Sequence, residues 1–199
     1  MRVLLSRPAC LVQLAVLASC ASTTVHLSGN RPKDGLCQRP AENGNTLVAW
    51  GTQWRQDQKD VPLREAAAEQ GLKAYFAQSK CLPNTEVRRI AVEGSITIEQ
   101  ARQLAVASGP QVSRVVVIVV RELGPVVKLL SSAALVEGGT EVQLHITSYS
   151  PKEPDRQQDF VVHWKNDGPG VVKGVATLPQ DIQAALAAGF EQTTTSSNE

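Results

Sequence analysis

SRVVVIVVREL, residues 113–123, carries six unbroken apolar residues, Val115 to Val120. A strand with one wet face alternates apolar and polar side chains, whereas an unbroken run suits a strand covered on both faces. This stretch is therefore expected at the centre of a sheet. Upstream of it, Thr97-Ile98-Glu99-Gln100 matches a capping box, in which Thr97 and Gln100 satisfy each other's backbone donors. The helix so opened turns Ile98, Ala101, Leu104 and Ala105 inward and stops near Gly109-Pro110. Before it, VRRIAVEG reads as a strand and VPLREAAAEQGLKAYFAQS as a helix from about Pro62, a residue suited to a first turn. Ala68, Leu72, Tyr75 and Ser79 recur on one side of that helix, with Phe76 beside them. TLVAWGTQW, 46–54, places Val48, Trp50, Thr52 and Trp54 on one strand face by period-two alternation, and the domain is expected to begin there.

Downstream, VVKLLSSAALVE and TEVQLHITSYS are expected as strands joined by a hairpin turn at Gly138-Gly139. A loop with Pro151 and Pro154 leads to the strand QDFVVHWKN, and Asp167-Gly168-Pro169-Gly170 breaks the chain before VVKGVATL. LPQDIQAALAAGF, 178–190, reads as a helix with Pro179 at its start, Asp181 in its first turn, and Ile182, Ala185, Leu186 and Gly189 inward. The order predicts an α/β (α+β) fold: one domain over 46–190 with a mixed β-sheet of about 5–7 strands, backed by two to three helices.

The amino terminus, MRVLLSRPAC, is positive through Arg2 and Arg7, with no acidic residue before Asp34. The apolar segment Leu11–Leu17, interrupted by Gln13, is far short of the ~20 residues that cross a bilayer. Residues 1–19 read as a secretory signal peptide. Leu17-Ala18-Ser19-Cys20 resembles the lipobox of bacterial lipoproteins. That resemblance implies a diacylglyceryl group on the Cys20 sulfur, cleavage before Cys20, and fatty acylation (palmitate) of the new amino group. Ala21 and Ser22, rather than Asp, follow the cysteine, so the resemblance favours the outer membrane, facing the periplasm. Ordinary cleavage to a soluble periplasmic protein is the alternative.

Residues 20–45, rich in Ser, Thr, Asn, Gly, Pro and charge, are expected as a flexible spacer, and 191–199 as a disordered tail. Of the four cysteines, Cys10 leaves with the peptide and Cys20 carries lipid. Outside the cytoplasm the remaining Cys37 and Cys81 are most simply a disulfide, with two buried thiols as the alternative. Closing a loop of that size contributes roughly 4 kcal/mol in the chain-entropy treatment.

On a lipoprotein signal, this element order resembles the amino-terminal domain of TolB and the related curli-export and penicillin-binding-protein-activator lipoproteins. The resemblance covers 46–190 as pattern only, without a motif, and carries over no site residues. It implies a helix-backed sheet that joins envelope assemblies, some of them rings. The expected partners are the membrane, through the anchor, and another envelope protein or a second copy of the chain.

A formal charge of +1 and few aromatics argue against nucleic acid. No G-x-S-x-G elbow, H-E-x-x-H or P-loop occurs, no cofactor is implied, and Ser131-Ser132 read as packing hydroxyls in a strand. Glu93, Glu122 and Glu137 read as solvated strand ends. His26 lies in the spacer. His145 and His163 fall opposite one another if their strands pair symmetrically about Pro154, close enough to share a metal or titrate together, with Glu141 and Asp159 as candidate partners. Trp50 and Trp54 are candidates for stacking on a glycan, or core beneath a helix. Arg88-Arg89 puts at least one cation on an exposed face, where it could meet phospholipid headgroups. The expected function is a non-catalytic outer-membrane lipoprotein whose domain binds or helps assemble another cell-envelope component. A glycan- or lipid-binding module and an enzyme with an unrecognised site are the alternatives.

Overall fold

The computed structural model describes residues 21–32, 35–37, 44–82, 84–92, 96–130, 135–155, 157–169, 171 and 173–191. In chain order the elements are β1 Ser22–Asn30, β2 Asn45–Thr52, α1 Val61–Gln78, β3 Thr85–Arg89, α2 Ile98–Ser108, β4 Val112–Leu130, β5 Leu135–Tyr149, β6 Gln158–Pro169 and α3 Leu178–Phe190. The strands form one mixed sheet in the order β1-β6-β5-β4-β2-β3. β2 pairs in parallel with both β3 and β4, and the other pairings are antiparallel. Among the described residues the fold is thus α+β, with six strands and three helices.

The apolar run behaves as its lack of alternation requires. Val115 to Val120 are each no more than 1 % exposed. Val116, Ile118 and Val120 join the core under α1 and α3, whereas Val115, Val117 and Val119 join a second core under α2. On the first face α1 contributes Ala68, Leu72, Tyr75 and Phe76, and α3 contributes Ile182, Ala185, Leu186 and Phe190. They cover Trp50, Leu144, Ile146, Phe160, Val162 and Trp164. The two helices meet at Gly71, where a Cβ would lie 1.9 Å from the Ile182 Cγ2, so the crossing needs glycine. Among the described residues the second face has α2 alone, above Leu47, Ala49 and Tyr149. Its capping box is formed: Thr97 N donates to Gln100 Oε1 at 2.7 Å and Gln100 N donates to Thr97 Oγ1 at 3.3 Å.

Three expectations are corrected. The spacer over 20–45 holds an ordered strand, because β1 satisfies the free edge of β6 along nine register positions from Ser22↔Asp167 to Asn30↔Asp159. The segment after β1 is fastened too. The Arg31 guanidinium donates to the carbonyls of Ala188, Gly189 and Glu191 at the end of α3, Leu36 enters the core, and Cys37 is bonded to Cys81. Second, Gly138-Gly139 is no turn but lies within β5, opposite Val126 and Val127 of β4. A Cβ on Gly139 would come within 2.3 Å of the Asn166 carbonyl oxygen, so glycine marks a close approach of two backbones there. Third, Asp167-Gly168-Pro169 continues β6 rather than ending it. Of VVKGVATL, the described part forms a 3-10 turn at Val175–Thr177 before α3.

Candidate functional site: the uncovered half of the sheet

Successive residues of a strand face opposite sides. Since Val142, Leu144, Ile146, Phe160, Val162 and Trp164 face α1 and α3, the residues between them face the other way. These are Glu141, Gln143 and His145 of β5 with Asp159, Val161, His163 and Lys165 of β6. On β1, Leu27 packs against the core, which leaves Thr24, His26 and Ser28 on this same open side. The α2 core reaches β5 at Tyr149, beside buried Thr147, and includes nothing further along that strand or on β6 or β1. Among the described residues, therefore, half of one sheet face is polar and has no helix above it.

The histidines do not stand opposite one another. His145 pairs with Val161 and His163 with Gln143, because the strands turn one residue earlier than the symmetric expectation about Pro154. The other register neighbour of His163 is His26, across the β1–β6 pairing. His145 and His163 each have a carboxylate of their own. His145 Nε2 lies 2.6 Å from Asp159 Oδ1, which also accepts from Thr147 Oγ1 at 2.9 Å. His145 Nδ1 lies 3.4 Å from Arg121 Nη2. A guanidinium only donates, so this geometry suits the tautomer with its lone pair on Nδ1 and Nε2–H donating to Asp159. Arg121 reaches this position from an irregularity in β4 between Val120 and Glu122. His163 Nε2 bonds Glu141 Oε1, and Lys165 Nζ lies 3.5 Å from Glu141 Oε2. Burial alone would raise the Glu141 carboxyl, but the His163 hydrogen bond and the Lys165 charge outweigh it and hold the group below its ordinary value.

The other sequence candidates fall elsewhere. Trp50 is 1 % exposed in the core, with the Arg89 guanidinium 5.3 Å from its ring centre, so it offers no stacking face to a sugar. Trp54 lies beyond the end of β2, half-buried, and its Nε1 donates to Glu65 Oε1 at 3.4 Å. Glu65 also accepts from Thr52 at 3.0 Å and from Arg89 at 2.6 Å. Burial works against its charge, but these donors prevail and hold the carboxyl low. Arg88 and Arg89 are both exposed, and each is matched by an acid, Glu86 and Glu65. Glu122 pairs with Arg55 at 3.1 Å. Glu137 sits in β5 opposite Lys128. Cys37 and Cys81 are joined, with Cα atoms 4.4 Å apart. Cys10, Cys20, Glu93 and Ser131-Ser132 lie outside the described residues, as do the expected signal peptide and nearly all of the expected tail.

Among the described residues no group of three or more His, Cys, Asp and Glu could hold a metal ion. No helix among them is long and apolar enough to cross a membrane. The open half-face presents instead a fixed pattern of charged and hydrogen-bonding groups, each His–carboxylate pair held in place by a neighbouring cation or hydroxyl. Sequence reasoning missed Arg121 and Glu65. The abrupt charge at Arg121-Glu122 after six apolar residues was the available signal for the first.

No family model matches the chain, and no curated protein does. Among solved structures, the PelC dodecamer from Paraburkholderia phytofirmans is 12 % identical, with a TM-score of 0.45, over 86 % of this chain and 100 % of that one. A single-residue variant of the same dodecamer is 12 % identical, with a TM-score of 0.44, over 83 % and 96 %. A neuraminyllactose-binding hemagglutinin homolog from Helicobacter pylori is 13 % identical, with a TM-score of 0.33, over 78 % and 81 %. Similarity at this level carries no information about what this chain binds.

Proposed function

We propose that this is a non-catalytic lipoprotein, held through Cys20 at the periplasmic leaflet of the outer membrane, that binds another envelope component on the open half of its sheet. The observation that carries the reading is the asymmetry of the two faces. One is sealed by α1 and α3, while β5, β6 and β1 turn His26, Glu141, His145, Asp159, His163 and Lys165 outward beyond the reach of α2. Polar side chains held in fixed pairs on rigid strands suit recognition, since little rotamer freedom is left to lose on binding. The Cys37–Cys81 bond fits an oxidising compartment.

Photo-crosslinking side chains introduced at His26 and Val161 test the surface, with exposed Leu63 on α1 as the control. Discrete adducts in intact cells from the first two positions and none from Leu63 are expected. Equal adducts from all three, or none, would remove the surface assignment. Palmitate labelling that persists after Cys20→Ala would remove the anchor.

A further inference from the structure

The sheet ends in two strands of opposite character. β3, at one edge, has five residues, and Glu86, Arg88 and Arg89 put charge along it. Short length and charge are how native sheets blunt an edge against stray pairing. β1, at the other edge, has nine residues, STTVHLSGN, with no charge and no proline, and it stays in register with β6 from end to end. All of its residues but Leu27 are exposed. Among the described residues no strand pairs with its far side, so alternate N–H and C=O groups there point away from β6.

The order of residues in β1 says what kind of strand fits it. Around His26 the strand reads nearly alike in both directions: Val25 and Leu27 flank the histidine, and the hydroxyls of Thr24 and Ser28 come next on either side. Leu27 packs against the core, and Val25, two residues before it, shares its face but is 37 % exposed. A second copy of β1, antiparallel and centred on His26, sets Val25 against Leu27 of that copy, Thr24 against Ser28, and His26 against its own counterpart. Directly opposed side chains lie about 5 Å apart, near enough for apolar contact on one face and hydroxyl hydrogen bonds on the other. Other centres match less well. Centring on Val25 leaves Leu27 opposite Thr23, and centring on Leu27 leaves Val25 opposite Gly29.

We infer that β1 is a dimer edge: two copies of the chain join β1 to β1, antiparallel about His26, into one continuous sheet. The occupant is a second copy because one strand supplies both halves of the match, as a two-fold interface requires. Main-chain hydrogen bonds between the edges supply the attraction, and the contacts of Val25 with Leu27 fix the register. A two-fold axis relating antiparallel neighbours stands perpendicular to the sheet, so both open half-faces come to lie on the same side. They then form one surface across β5, β6 and β1 of the two copies, with His26 and its register neighbour His163 nearest the seam. The pairing doubles the surface assigned to the envelope component, yet it stands without that reading and without a lipid on Cys20.

The test traps the seam with cysteine in intact cells that express the full chain. Directly opposed cysteines on neighbouring strands can bond, whereas Ser28 and its counterpart stand roughly 13 Å apart along the strands. Under a mild thiol oxidant His26→Cys is expected to give a reducible band at the mass of a dimer, with none from Ser28→Cys or from the wild type, which keeps the other cysteines. Thr24→Cys and Ser28→Cys chains expressed together are expected to give the band that neither gives alone. Val25→Lys sets a charge against Leu27 of the second copy, and lysine on an edge strand opposes pairing. Sedimentation of the purified chain in detergent is expected to show a dimer for the wild type and a monomer for Val25→Lys, with the circular dichroism of the fold retained. A wild-type chain that sediments as a monomer overturns the inference, as does a dimer in which His26→Cys stays unlinked. A Ser28→Cys band as strong as that of His26→Cys overturns it too, since the pairing is then not centred on His26. A His26→Cys adduct to a different protein in place of the dimer gives the edge to that protein and likewise overturns it.

Discussion

Phe160 and Val161 are chain neighbours on β6 that face opposite ways, and they show how differently the two sides of the sheet are built. Phe160 is sealed beneath α3 with Ile146 and Val162 beside it, in a core whose helices approach through Gly71 and Ile182. Val161 is half-exposed between His145 and His163, with no helix above it among the described residues. The first side carries stability by excluding water from aromatic and branched side chains. The second holds polar groups in place with hydrogen bonds whose net contribution is small. Stability thus rests on one face of these strands, and the proposed recognition surface lies on the other.

That assignment has measurable edges. Phe160→Ala is expected to cost about 3–5 kcal/mol in urea unfolding, and Val161→Ala about 1 kcal/mol or less. Similar losses at the two positions would break the comparison. Replacing Cys37 and Cys81 together with serine frees the segment after β1 from the chain after α1 and is expected to cost roughly 2–4 kcal/mol, read in the same assay. On the side of the lone helix, Thr97→Ala removes one half of the capping box, and a loss of about 1 kcal/mol should appear in the melting temperature. The smallest effect belongs to the open half. Because Glu141 is held below its ordinary value of 4.5, its stabilising share is present above that pH and fades as pH falls below it. Glu141→Gln should therefore flatten the acid limb of the melting temperature below about pH 4.5, while leaving neutral stability within about 1 kcal/mol.

What was legible in the sequence follows the same division. Val115 to Val120 announced a doubly covered strand, Thr97 and Gln100 a helix start, and LPQDIQAALAAGF a helix whose bounds the structure repeats as Leu178–Phe190. Each signal is local, made of periodicity or a cap within a few residues. The histidine pairs were only half legible. The parity of β5 and β6 gave the face, and Glu141 and Asp159, singled out only as candidates to complete a metal shell, hydrogen-bond one histidine each, but register depends on a turn whose length sequence does not declare. β1 was missed because STTVHLSGN offers almost no apolar face and leaves all but one of its residues exposed. Its order comes from backbone bonds to a distant strand and from Arg31, Leu36 and Cys37 behind it. Glycines misled for a related reason, since Gly139 serves proximity between strands rather than reversal of direction.

The first strand also sets a timetable. Ser22 meets its neighbour Asp167 across 145 positions of chain, so a polypeptide threaded out amino end first has nothing for β1 to join until nearly all of it has emerged. Closing so long a loop comes late and slowly. Any factor that escorts the nascent chain would find that segment bare for most of its passage.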